Sequence, residues 1–247
     1  MIEDIIKPGD RIDIKLIQQL EQSQDSPTEP KKTHIYKSKV YDVNENGKLQ
    51  IAMPTENGKL VLLPLGIRFE FVFYSNGGLY RGEGQVKERY KQDNLYILDV
   101  ELQSRLMKFQ RREFFRHQCT IDMSYFELTP EEAELESAEI AFEKIRDEDF
   151  YEKERKGIIV DISGGGVRFT STEELQNDSY ILIAVRLSSG KADKQYYLIG
   201  KIIACTKIEN VASRYENRVQ FMLKDDKTRE EIIKFIFEEE RKKRSRY

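Results

Sequence analysis

The sequence is poor in the residues that make most enzymes and membrane proteins recognisable. Its 247 residues hold no tryptophan, two cysteines (Cys119 and Cys205) and two histidines (His34 and His117). Two distant cysteines exclude a disulfide framework and a CxxC metal knuckle. Two histidines exclude an HExxH site and leave little material for a Ser-His-Asp triad. No apolar run approaches the ~18 residues of a membrane span, and the acidic start Met1–Lys7 does not read as a signal peptide. Neither charge dominates: 41 Lys+Arg stand against 44 Asp+Glu, a net −3. Attraction of the whole chain to polyanions is thereby excluded, and any recognition of phosphate must come from a local cluster. The expectation is a reduced, soluble, cytoplasmic protein without membrane insertion, resident cofactor or metal.

What is present is β-pattern. Gly9 to Leu16 alternates polar and apolar with the period of a half-buried strand. His34–Val43 and Lys48–Met53 flank Asn46-Gly47, a dipeptide suited to a type I′ hairpin, and Asn57-Gly58 repeats the signal before Leu60–Leu63. Arg68–Tyr74, Gly82–Arg89 and Asn94–Leu102 continue the series, the first two separated by Asn76-Gly77-Gly78. Two prolines mark Gln24 to Thr33 as loop. About six strands without a long helix predict a small antiparallel barrel over residues 1–103.

The junction is placed at Gln103–Gln110. A second β series over 104–247 then reads through Gln118–Leu128, Gly157–Ile162, Tyr180–Leu187, Gln195–Ile208 and Arg218–Leu223. Between its first two strands lies Thr129–Arg155, with 11 acidic and 4 basic residues. This stretch is open between a solvated helix and a disordered insertion; charge runs of this kind are usually surface. A closing helix is expected over 228–246, with Thr228 and Glu231 as a capping box and Ile232, Ile233, Ile236 and Phe237 as its apolar face. The cations from Arg241 to Arg246 complement the helix dipole.

Two strings carry chemistry. Gln110 to His117 contains R-R-x-x-x-R at Arg111, Arg112 and Arg116. Asp161 to Arg168 contains D-x-S-x-x-G at Asp161, Ser163 and Gly166, around the run Gly164-Gly165-Gly166. With 18 arginines in the chain, about 1.3 R-x-x-x-R pairs arise by chance, and Arg214–Arg218 is a second one. The D/N-x-S-x-x-G pattern has a chance expectation of only about 0.07. Guanidinium groups donate paired hydrogen bonds to guanine O6 and N7 or to phosphate, and they stack on purines. Asp161 is suited to accept from a guanine N1–H and N2–H edge, Ser163 to contact base or phosphate, and the glycines to admit a bulky anion to the backbone. Alone, the arginines read as a solvated basic face and the glycines as a tight turn. Together they describe a site for a guanine nucleotide with several phosphates, without a catalytic base.

This pair of motifs resembles the PilZ domain, the bacterial receptor for cyclic diguanylate (c-di-GMP), over about Leu106–Arg241. The preceding β domain looks like that of YcgR-type flagellar-brake proteins. The resemblance implies two small β-barrels in tandem, a split-barrel-like one followed by a six-stranded one with a C-terminal helix. It also implies binding rather than catalysis. Arg112 and Arg116 would grip bases and phosphates, with Asp161, Ser163 and Gly164–Gly166 on the other side. Arg111, ahead of the first motif arginine, accompanies an intercalated ligand dimer in the family. The implied output is a change of interdomain arrangement and action on a flagellar motor stator or switch protein. That implies recruitment to the flagellar basal body. A PilZ regulator of exopolysaccharide synthesis or secretion is the alternative, and an RNA- or DNA-binding barrel the third reading, with no nucleic acid expected under the first.

Overall fold

The computed structural model describes residues 2–17, 34–44, 48–189, 192–211 and 213–245. The chain divides into two compact units, Met1–Arg111 and Arg112–Tyr247.

The first unit is a barrel of β1 (Arg11–Leu16), β2 (Ile35–Val43), β3 (Leu49–Ala52), β6 (Arg68–Ser75), β7 (Gly78–Gln92) and β8 (Leu95–Leu102). Every neighbouring pair is antiparallel, in the order β6-β1-β2-β3-β8-β7, and pairing of β6 with β7 closes the ring. A short hairpin, β4 (Thr55–Glu56) and β5 (Lys59–Leu60), stands apart, and β9 (Met107–Lys108) adds to β7. The period-2 pattern explains the closure. Phe69, Phe71 and Phe73 alternate along β6 and are all buried, facing Ile12, Ile14, Leu49, Ile51, Leu98 and Val100. Asn57 (φ 49°) and Gly58 (φ 76°) form the I′-type turn expected of that dipeptide. Leu60–Leu63 is not the strand expected: pairing stops at Leu60 and Leu62 is exposed. The Asn46-Gly47 turn and the loop from 24 to 33 lie outside the described residues.

The second unit is also a closed six-stranded barrel. It comprises β10 (His117–Leu128), β11 (Arg155–Ser163), β12 (Gly166–Ser171), β13 (Tyr180–Ser189), β14 (Ala192–Lys207) and β15 (Tyr215–Phe221), in the order β10-β11-β12-β15-β14-β13. Sequence reading overlooked β12, because its turn is so short that the strand returns directly after the glycines. Tyr125, Ile159, Phe169, Ile183, Leu198 and Ile202 fill the interior with Ile232, Phe235 and Ile236 of α3 (Asp226–Arg244). Helix α3 starts earlier than expected: its N-cap is Asp225, whose carboxylate accepts from the Thr228 N–H at 2.7 Å. The capping box of this unit is Thr129 with Glu132, at the start of α1 (Pro130–Ala133). The acidic stretch is therefore helical, through α1 and α2 (Ala138–Lys153). Ala133, Ala141 and Ile145 bury the outer sides of Phe126, Leu182 and Ile199, and Phe142 stacks on Tyr197 at 4.1 Å. That apolar seam accounts for an ordered helix in so charged a stretch.

Candidate functional site

The two sequence strings meet at one turn. Ser163 pairs with Gly166, which leaves Gly164 and Gly165 as a two-residue loop between β11 and β12. None of the three glycines has positive φ; what they supply is space. A Cβ at Gly164 would lie 2.8 Å from Phe114 Cδ1 and 2.9 Å from Ile233 Cγ1. At Gly165 it would lie 3.1 Å from the same ring, and at Gly166 only 2.0 Å from the Val219 carbonyl oxygen. The space is thus filled by Phe114, Ile233 and the backbone of β15. Phe114 stands between Arg112 and Arg116 in the chain, so its ring pins the arginine segment to the glycine turn. The Arg229 guanidinium of α3 lies 5.7 Å from the centre of that ring.

The arginines themselves divide. Arg112 and Arg116 are exposed, and neither is engaged in an ion pair among the described residues. Arg111 is engaged, within the first unit. Its Nη1 donates to the Tyr74 hydroxyl at 2.7 Å and lies 3.9 Å from Asp13 Oδ2. Tyr74 in turn donates to that carboxylate at 2.5 Å. The Tyr74 ring carries the Arg111 and Arg11 guanidinium groups at 5.2 and 4.9 Å from its centre. Burial, reinforced by the bond to Asp13, raises the Tyr74 pKa, so the phenol stays a donor.

Asp161 is almost fully enclosed, at 5% exposure. Arg168 of β12 stands opposite it and donates from Nε to Oδ2 at 2.6 Å, while its Nη1 donates to Glu216 Oε2 at 2.7 Å. The bond to Asp161 is the main cause that raises the Arg168 pKa, with Glu216 adding to it. The ladder extends this into a row across four strands: Gln118, Asp161, Arg168 and Arg218. Beside it, burial pushes the Cys119 thiol up to about 11, with the Asp161 charge adding to the shift. Ser163 Oγ donates to the Gly166 carbonyl at 3.1 Å.

Sequence reading gave Asp161 and Ser163 no histidine neighbour, and here the fold differs. His117 sits opposite Ile162 on the adjacent strand. Its Nδ1, however, lies 2.6 Å from Glu240 Oε1 of α3, and its ring meets Phe235 edge-on. Histidine, serine and aspartate are thus each committed to a different partner. Among the described residues no group of His, Cys, Asp and Glu side chains is arranged to hold a metal, and no helix is long and apolar enough to cross a membrane.

Residues 110–238, just over half of the chain, match the family model described as the PilZ domain. The chain belongs to the PilZ family. Residues 7–101 match a second model, described as flagellar protein YcgR. The fold is similar to that of the Bacillus subtilis inhibitor of motility MotI/DgrA, with a TM-score of 0.70 at 16% identity over 97% of this chain and 100% of that one. The Escherichia coli YcgR structure with c-di-GMP aligns over 96% of this chain and 87% of that one, at 13% identity and a TM-score of 0.48. No curated protein matches the sequence.

Arg168, Glu216 and Arg218, which the ladder and ion pairs place around Asp161, are residues of this candidate site that sequence reading did not weigh. A signal for Arg168 was present: a two-residue turn at Gly164-Gly165 places residue 161 opposite residue 168. Arg218 was set aside as half of a chance R-x-x-x-R pair, and for Glu216 no signal existed short of the barrel order.

Proposed function

We propose that this chain is a c-di-GMP receptor that restrains motility through the flagellar motor. The observation that carries the reading is the convergence of the R-R-x-x-x-R segment, through Phe114, on the turn of D-x-S-x-x-G. The PilZ and YcgR family matches support it, as does the likeness in fold to an inhibitor of motility. Arg112 and Arg116, exposed and uncommitted to ion pairs, would take the guanine bases and phosphates. Asp161 and Ser163 would meet the ligand from the other side, with the Gly164–Gly166 backbone lining it. Charge-assisted bonds of this kind are the stronger class. The chain would act by binding in the cytoplasm, without turnover, and would be recruited to a stator or switch protein.

Arg111 supplies the coupling. Recruiting it to a second, intercalated ligand molecule requires breaking its bonds to Tyr74 and Asp13 of the first unit. A ligand shifts a conformational equilibrium only by its differential contacts with the two states, and Arg111 is such a contact. Binding would thereby change the interdomain arrangement and expose the surface that the motor protein reads.

Isothermal titration with c-di-GMP, against GTP and cyclic diadenylate, tests the reading. Selective binding of two molecules per chain supports it. Absence of heat with c-di-GMP in the folded protein refutes it.

A further inference from the structure

Arg168 lies inside the second string yet belongs to neither motif. It is fixed at both ends, by Asp161 through Nε and by Glu216 through Nη1. Its side chain is 29% exposed and that of Glu216 24%, so the pair lies at the surface edge of the nearly closed Asp161. A carboxylate has a broad, roughly two-fold terminal torsion. To accept from guanine N1–H and N2–H together, both of its oxygens must lie in the plane of the base. A guanidinium planted on one oxygen removes that torsional freedom. It also balances the charge: Asp161 pairs with Arg168, and Glu216 with Arg168 and Arg218, so a buried carboxylate does not repel an arriving phosphodiester.

We propose that Arg168, tethered by Glu216, is a positioning residue that sets the plane of the Asp161 carboxylate and so gives the site its preference for guanine over purines lacking the 2-amino group. The inference rests on the c-di-GMP reading above and adds the origin of base selectivity. Arg112 and Arg116, which address phosphates and base faces, contribute affinity without this discrimination.

The test compares c-di-GMP with cyclic di-inosine monophosphate, which lacks only the 2-amino groups. Both are titrated into the full chain and into variants shown to be folded by circular dichroism and melting. Wild type is expected to favour c-di-GMP by about tenfold or more, since a bidentate base contact discriminates on that scale. Arg168→Ala brings the ratio close to one. Arg168→Lys, which keeps the charge but not the planar fork, restores part of it. Arg112→Ala weakens both ligands equally and leaves the ratio intact, as loss of a selectivity-neutral contact should. Removing Arg168 strands a buried carboxylate and can unfold the barrel; Glu216→Ala then carries the test, because it removes only the second tether and should narrow the ratio about threefold. A wild-type ratio in folded Arg168→Ala, or in Glu216→Ala where the former does not fold, overturns the inference. Failure of wild type to bind c-di-GMP at all overturns instead the reading on which it rests.

Discussion

Each barrel buries an aspartate beneath an arginine, and the two do it differently. In the first, Asp13 (8% exposed) is reached by Tyr74 directly and by Arg111 mainly through the Tyr74 hydroxyl. In the second, Asp161 holds Arg168 directly, on the neighbouring strand, and Glu216 fixes that arginine from its far side. Arg111 comes from a chain segment outside the sheet and keeps about half its side chain in solvent; Arg168 comes from the ladder itself. Under the proposed function the two pairings serve different tasks, recognition at Asp161 and release at Asp13, because one arginine is rooted in the ladder and the other in a segment outside the sheet.

The largest effect expected lies in neither pair. Replacing Arg112 and Arg116 together by alanine removes two charge-assisted contacts of roughly 1.5–3 kcal/mol each. Binding of c-di-GMP should weaken by at least about two orders of magnitude, measured by titration, with the melting temperature little changed. Next comes Gly166→Ala, where the added methyl meets the Val219 carbonyl at 2.0 Å. Backbone cannot yield as a side chain would, so a loss of about 3 kcal/mol is expected, the upper end for overpacking. Denaturant melts of the second unit would show it.

These two sites also mark how much was readable beforehand. Strand alternation and the Asn57-Gly58 turn made the first barrel legible, alternation alone gave five of the second barrel's six strands, and motif rarity singled out the turn from Asp161 to Gly166. The role of the glycines was not legible, because it depends on Phe114, Ile233 and Val219 arriving from elements far apart in the chain. The helix start was misplaced by one turn because Asp225 and Thr228 are both good caps, and the geometry of one excludes the other. Arg111 is legible in the sequence as a ligand group at the hinge after the connector; its engagement by Tyr74 and Asp13 is not, because those residues come from strands about forty and a hundred residues earlier, which no local pattern encodes.

A smaller effect should sharpen the contrast between the pairs. Tyr74→Phe removes the hydroxyl that receives Arg111 and keeps the ring. If the first unit restrains this arginine, c-di-GMP should bind about fivefold tighter, the worth of roughly 1 kcal/mol. Unchanged affinity would mean that Arg111 is not in competition.

Two pH effects lie outside both pairs. The Arg186 and Ser188 side chains beside Asp193 lower its pKa from 3.8 to about 2. A depressed acid contributes stability that is present above pH 3.8 and is lost as pH falls toward 2. Asp193→Asn should therefore lower the melting temperature slightly at pH 6 and less at pH 2, the pair being exposed to solvent. Cys119, raised from 9.0 to about 11, should react with iodoacetamide at pH 8 about a hundredfold more slowly than a free thiol, since the thiolate is the reactive form. Mass spectrometry of the labelled peptide reads this out.

The two aspartates give the most direct test. Asp13→Asn and Asp161→Asn change one oxygen each, and the full chain carrying either is titrated with c-di-GMP beside wild type. Opposite outcomes are expected: tighter binding in Asp13→Asn, where Arg111 loses its ion pair and is held by Tyr74 alone, and weaker binding in Asp161→Asn, where the base loses its acceptor. Weakening in both, or no change in either, would contradict the division of recognition and release between the two barrels.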